Sequence, residues 1–281
     1  MTGQLIALDV GGTNIEAGVV RDNGRVVRHT TVPSHEGCTL DVLLADIATA
    51  VDPLRSPGLG GLGVGFPALG DYEHGILDGD RSLSRRVAGF PLRDHLAGRF
   101  GVPVRMTTDA NMFVLGVHAF GEARGFRNVV ALTLGTGVCI GVVAGGRLYA
   151  GPRGMPDEIL QSLAGGNAHL GAAGHHFRRL YGGDGVTLSR RALDGDQAAL
   201  DAFRSIGSGV AAVILRLVAI FADTQLVVLG GGVSQSWRFF SAQTRSELSR
   251  AGVHSPVVRT RMRHPALAGA PALFAYDLSP P

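Results

Sequence analysis

The run Leu5-Ile6-Ala7-Leu8-Asp9-Val10-Gly11-Gly12-Thr13-Asn14-Ile15 joins two apolar segments through a glycine pair. Its ends predict two strands, the second over residues 15–20, with a tight turn between them. Gly11 and Gly12 let backbone N–H groups come close to an anion, and Thr13 adds a hydroxyl donor. A carboxylate just before such a turn repels phosphate unless a cation lies between them. Asp9 therefore suits an outer-shell place on Mg²⁺. A plain glycine hairpin accounts for the same residues equally well. The run is neither a Gly-x-Gly-x-x-Gly that opens a helix nor a Walker loop.

The same grammar returns in the second half of the chain. A strand over 128–134 meets Gly135-Thr136-Gly137, and a strand over 140–143 follows. Two glycine-threonine turns in equivalent positions could clamp one polyphosphate chain. Gly230-Gly231-Gly232 ends a strand over 226–229 and opens another helix. A flat base could lie on that backbone, although a helix-packing turn explains it too. Asp109 stands where a strand over 102–106 gives way to a helix over 112–121. It is either the helix N-cap or a general base for a substrate hydroxyl, and position alone does not decide.

The remaining periodicity predicts a strand over 25–32 after the turn Asp22-Asn23-Gly24, a helix over 39–51 and a strand over 60–66. Residues 68–90 read as a long loop, 92–100, 197–221 and 237–249 as helices. At 281 residues, 45% hydrophobic and 17% charged, the chain suits two globular domains. Its long basic residues are all Arg, and the formal charge is +3. The pairs Arg85-Arg86, Arg178-Arg179 and Arg190-Arg191 read as solvated faces, without the interleaved aromatics of a nucleic-acid stripe. Cys38 and Cys139 form no Cys-x-x-Cys, which argues against a disulfide framework and for a cytoplasmic protein. Residues 1–4 lead straight into a strand, so no signal peptide is expected. The apolar run 210–221 is broken by Arg216 and too short to span a bilayer, so it reads as a buried helix and no membrane partner is expected.

Taken in order, these motifs resemble the ROK family of sugar kinases and sugar-responsive repressors over nearly the whole chain. Leu8-Asp9-Val10-Gly11-Gly12-Thr13 and Leu134-Gly135-Thr136-Gly137 resemble its two phosphate motifs. Gly65-Phe66-Pro67-Ala68 resembles Gly-Ile-Pro-Gly, and Asp109-Ala110-Asn111 the end of Asn-Asp-Ala-Asn. Glu158, after Gly151-Pro152-Arg153-Gly154, matches the Glu of Gly-Glu-Ile-Gly-His. Asp194-Gly195-Asp196 resembles the helix-entry segment, and Val228-Leu229-Gly230-Gly231-Gly232-Val233 the adenosine segment.

The resemblance implies an α/β, actin-like (ribonuclease H-like) ATPase fold, with two similar α/β domains around a cleft. Residues 1–107 would form the first domain and 108–264 the larger second, with the tail 265–281 packing back on the first. It implies a cytoplasmic, homodimeric kinase that moves a phosphoryl group from ATP to a hexose or related sugar. Asp109 would be the base, and Asp9 would serve Mg²⁺. Gly11, Gly12, Thr13, Gly135, Thr136 and Gly137 would hold phosphates, and Gly230, Gly231 and Gly232 the adenosine. Pro67, Ser82, Thr108, Asn111, Glu158 and Gln161 would meet the sugar. Family repressors carry an N-terminal helix-turn-helix, and no direct DNA binding is expected here.

The departures bear on the sugar. Thr108 replaces the Asn before the catalytic Asp, and Gln161 the family His. The zinc-binding Cys-x-Cys-Gly-x-x-Gly-Cys-x-Glu is reduced to residues 168–177, which hold no Cys and end at Phe177 in place of Glu. No structural zinc is expected, and His169, His175 and His176 read as surface histidines. Polyphosphate as donor and a non-catalytic sugar or nucleotide sensor are the rival readings.

Overall fold

The computed structural model describes residues 4–35, 39–79, 84–135, 137–150 and 185–275. They divide into two compact units. The first holds the described residues up to Gly125, 147–150, and those from Arg261 on; the second holds Phe126–Gly146 and 185–260. The division thus falls after the helix that begins at Asp109, not at residue 107.

In the first unit β1 (Gln4–Val10), β2 (Asn14–Val20), β3 (Val26–Pro33), β4 (Leu59–Gly65) and β5 (Val104–Thr107) form one sheet in the order β3-β2-β1-β4-β5. The hairpin pairs β1–β2 and β2–β3 are antiparallel; β1–β4 and β4–β5 are parallel. Central β1 is covered on both faces, which is why it reads as an unbroken apolar run rather than an alternation. One face packs α1 (Leu40–Val51) and α2 (Leu92–Phe100) over Ile6, Leu8, Val10 and Ile15. The other packs α3 (Asp109–Phe120), α7 (Pro265–Ala268) and α8 (Ala270–Ala275) over Ala7 and Val20.

Close approach on that second face needs small residues. A Cβ on Gly63 would meet Ala270 at 3.0 Å, and one on Gly269 would meet the Met112 carbonyl at 2.1 Å. The tail is also tied to β5, where Arg105 Nη1 donates to the Leu273 carbonyl at 3.0 Å. Between β4 and α2 the chain is less loop-like than its composition suggests. Gly70–Asp71 and Ile76–Leu77 form a small hairpin, and the Tyr72 hydroxyl reaches the Phe66 and Ala68 carbonyls at 2.7 and 2.6 Å.

The second unit repeats these pairings. β6 (Val129–Leu134) is antiparallel to β7 (Val138–Ala144) and parallel to β8 (Leu226–Gly230), which is parallel to β9 (Val257–Arg259). Helices α4 (Gly185–Leu193), α5 (Gln197–Ile220) and α6 (Trp237–Arg250) complete it. Asp196 caps α5 by accepting from the Ala199 N–H at 3.2 Å. By length and composition α5 could cross a membrane. Here it is a core helix, with Phe203, Ile206, Val210, Val213, Ile214 and Leu217 buried. Gly207 lets α6 close on it, and Thr244 Oγ1 donates to the Gly207 carbonyl at 3.0 Å.

Candidate active site

Helix α3 starts at Asp109, three residues earlier than its periodicity predicts. The cause is Thr108, which adopts extended backbone and accepts the Asn111 N–H on its Oγ1 at 3.0 Å. The cap is therefore Thr108 and not Asp109, and the capping explanation for Asp109 falls. Asp109 is half-buried in the first helical turn. Gly65, at the end of parallel β4, admits it: a Cβ there would stand 3.2 Å from the Asp109 Cα. Asn111 is buried and donates through Nδ2 to Thr107 Oγ1 at 3.0 Å, so it braces the β5–α3 junction. Thr108 is itself fully buried, and Pro67 half-buried.

Beside α3 runs the first glycine turn. Gly11 N–H donates to the Asn14 carbonyl at 2.9 Å. A Cβ on Gly11 would strike that oxygen at 2.8 Å, so the turn itself demands this glycine. At Gly12 a Cβ would meet no atom of the described residues within 4 Å. Packing among these residues does not require a glycine there. Gly12 and Thr13 are both exposed.

Asp9 comes just before, in register with Glu16 across the β1–β2 pair. Like charges placed directly opposite repel. Burial first, then the charges of Asp109 and Glu16, push the Asp9 carboxyl well above its ordinary range. Glu16 is a residue that motif reading missed; only the hairpin register brings it opposite Asp9. Its Oε2 lies 3.5 Å from His264 Nδ1. Such a crowding of carboxylates suits a divalent cation. Among the described residues no group of three or more His, Cys, Asp and Glu could cage one.

The second unit carries its own glycine turns. Gly135 N–H donates to the Gly137 carbonyl at 2.9 Å, and at both glycines a Cβ would meet none of the described residues within 4 Å. Gly230 is buried at the end of β8. Gly231 has a φ of +80°, and a Cβ on it would lie 2.5 Å from the Leu134 carbonyl. It is a packing glycine that seats this turn on the end of β6. A Cβ on Gly232 would meet none of the described residues within 4 Å. Ser234 Oγ donates to the Gly231 carbonyl at 2.7 Å, and Ser236 meets Ser189 of α4 at 2.7 Å, so the turn is held firmly. Ser82, Thr136, Glu158, Gln161 and the 168–177 stretch lie outside the described residues.

The repeated pairing, with glycine turns at strand ends, is that of the actin-like ATPase fold of the ROK sugar kinases. The chain belongs to the ROK family, whose model matches residues 5–275. A glucokinase of Thermotoga maritima is 27% identical, over 96% of this chain and 97% of its own length. An N-acetylmannosamine kinase of Salmonella typhimurium is 29% identical over 97% and 98%. A solved Streptomyces griseus ROK family glucokinase, in complex with glucose and AMPPNP, superposes with a TM-score of 0.75. It is 24% identical and covers 96% of this chain and 99% of its own. Relatives with these names support a sugar kinase.

Proposed function

We propose that the protein transfers the terminal phosphoryl group of ATP to a hydroxyl of a hexose or related sugar. The observation that carries this is Asp109. It is a half-buried carboxylate on the first turn of α3, relieved of capping by Thr108 and close enough to Asp9 to raise its pKa. Asp109 accepts the proton of the attacking hydroxyl, and its fixed place on a capped helix holds it ready. In the first unit, Gly12 and Thr13 are the residues that donate to phosphate oxygens; in the second, Gly135, Thr136 and Gly137 form its phosphate turn, and Gly232 leaves room for the nucleoside.

Asp9 holds Mg²⁺ through water; such an ion neutralises phosphate charge when bound. Glu158 and Gln161 meet the sugar hydroxyls. Thr108 and Asn111 act mainly from beneath, as cap and brace, while Pro67 borders the sugar. The test is a coupled ADP-release screen with the full chain over hexoses and N-acetylhexosamines. Turnover on at least one sugar is expected; no turnover on any sugar, with sugar binding intact, contradicts the proposal.

A further inference from the structure

Ser34 follows the last residue of β3, and its backbone is held from both sides. Its N–H donates to the Thr13 carbonyl at 2.8 Å. That bond extends the β2–β3 ladder one step beyond the Asn14↔Pro33 pair, into the first glycine turn. On the other side, His35 Nδ1 lies 2.9 Å from Asp46 Oδ2 on α1. Within this fixed segment the Ser34 hydroxyl oxygen is buried and, among the described residues, has no hydrogen-bond partner. A buried hydroxyl left unpaired costs stability, so its presence needs a reason. Residues opposite each other in an antiparallel pair share a face. The backbone bond to Thr13 therefore sets Ser34 beside this exposed residue of the turn, next to Gly12, where the described residues leave the Cβ position open.

We propose that Ser34 is a second hydroxyl of the first phosphate turn, donating to an oxygen of the donor's phosphate chain beside Thr13. The inference rests on the kinase reading above. The donor is favoured over the sugar by position. Ser34 leads toward α1, on one face of the sheet, whereas Asp109 and Asn111 belong to α3, which packs on the other. A hydroxyl that folding leaves unused can pair with an anionic oxygen, and a charge-assisted bond is stronger than an ordinary one.

The experiment compares the full-length chain with Ser34→Ala. Three things are read: the KM for Mg-ATP and for sugar, the affinity for inorganic tripolyphosphate, and the thermal midpoint of the ligand-free protein. Ser34→Ala should raise the ATP KM and weaken tripolyphosphate binding about tenfold. The sugar KM should stay unchanged, and the midpoint should stay equal or rise, because only an unpaired group is lost. An unchanged ATP KM overturns the role of Ser34 while leaving the kinase reading intact. So does a lower midpoint with both KM values raised, which marks a structural hydroxyl. If the wild-type chain binds neither ATP nor tripolyphosphate, the kinase reading falls and this inference with it.

Discussion

Asp9 and Thr108 show what single residues contribute around Asp109. The Asp9 carboxyl is raised by burial, then by Asp109, then by Glu16. The folded chain thus holds that proton more tightly than the unfolded one. Stability from this source is full below the unfolded value, about pH 4, and is lost as pH rises through the higher folded value. At neutral pH this difference in proton affinity is a cost to folding. In the absence of nucleotide and divalent ions, Asp9→Asn should melt higher than wild type at neutral pH, and the two should converge below about pH 4. Melting curves across that range check it; a variant that melts lower at neutral pH contradicts it. Thr108 makes the opposite kind of contribution. Thr108→Ala removes the bond to the Asn111 N–H and should cost about 1 kcal/mol in a denaturant titration. An unchanged midpoint would show the cap to be idle. At this scale the sequence is ambiguous for a simple reason: Thr and Asp are both good caps, and only backbone geometry tells which one serves.

At the scale of elements, the glycine turns divide by cause. Strand runs and turn residues are local signals, so β1, β2, β6 and β7 are legible close to their true ends. Which glycine serves packing and which serves a ligand is not local. Gly231 faces the backbone of β6, while Gly12 and Gly137 face none of the described residues within 4 Å. Register is equally hidden, and so Glu16 was missed opposite Asp9. The distinction predicts different failures. Gly12→Val and Gly137→Val should fold with near-wild-type midpoints and lose ATP affinity, since a Cβ at either position meets none of the described residues within 4 Å. Gly231→Ala should destabilise by about 2 kcal/mol or more, from a left-handed φ and a backbone clash. Thermal melts alongside nucleotide titrations separate the two outcomes. Equal destabilisation in all three variants would remove the ligand reading of Gly12 and Gly137.

Across the whole molecule, one strand pairing appears twice: an antiparallel hairpin beside parallel strands, each hairpin turned by glycine. That duplication was visible in the order of strands and glycines, because both copies depend on the same local turn chemistry. The division of the chain was less visible. Helix α3 belongs with the first unit, because Met112 and Leu115 pack with the tail residues Leu267, Ala270 and Leu273. Residues more than a hundred positions apart build that core, and no local pattern announces it. The tail thereby supports the helix that carries Asp109. The most direct test is turnover of Asp109→Asn against wild type on the best sugar of the panel, with melting curves alongside. Asn keeps the shape, and Thr108 keeps the cap, so the melting midpoint should hold while turnover falls about 10²- to 10⁴-fold. Wild-type turnover in a folded Asp109→Asn protein would contradict the account, and sugar binding without phosphoryl transfer in either protein would replace it with a sensor.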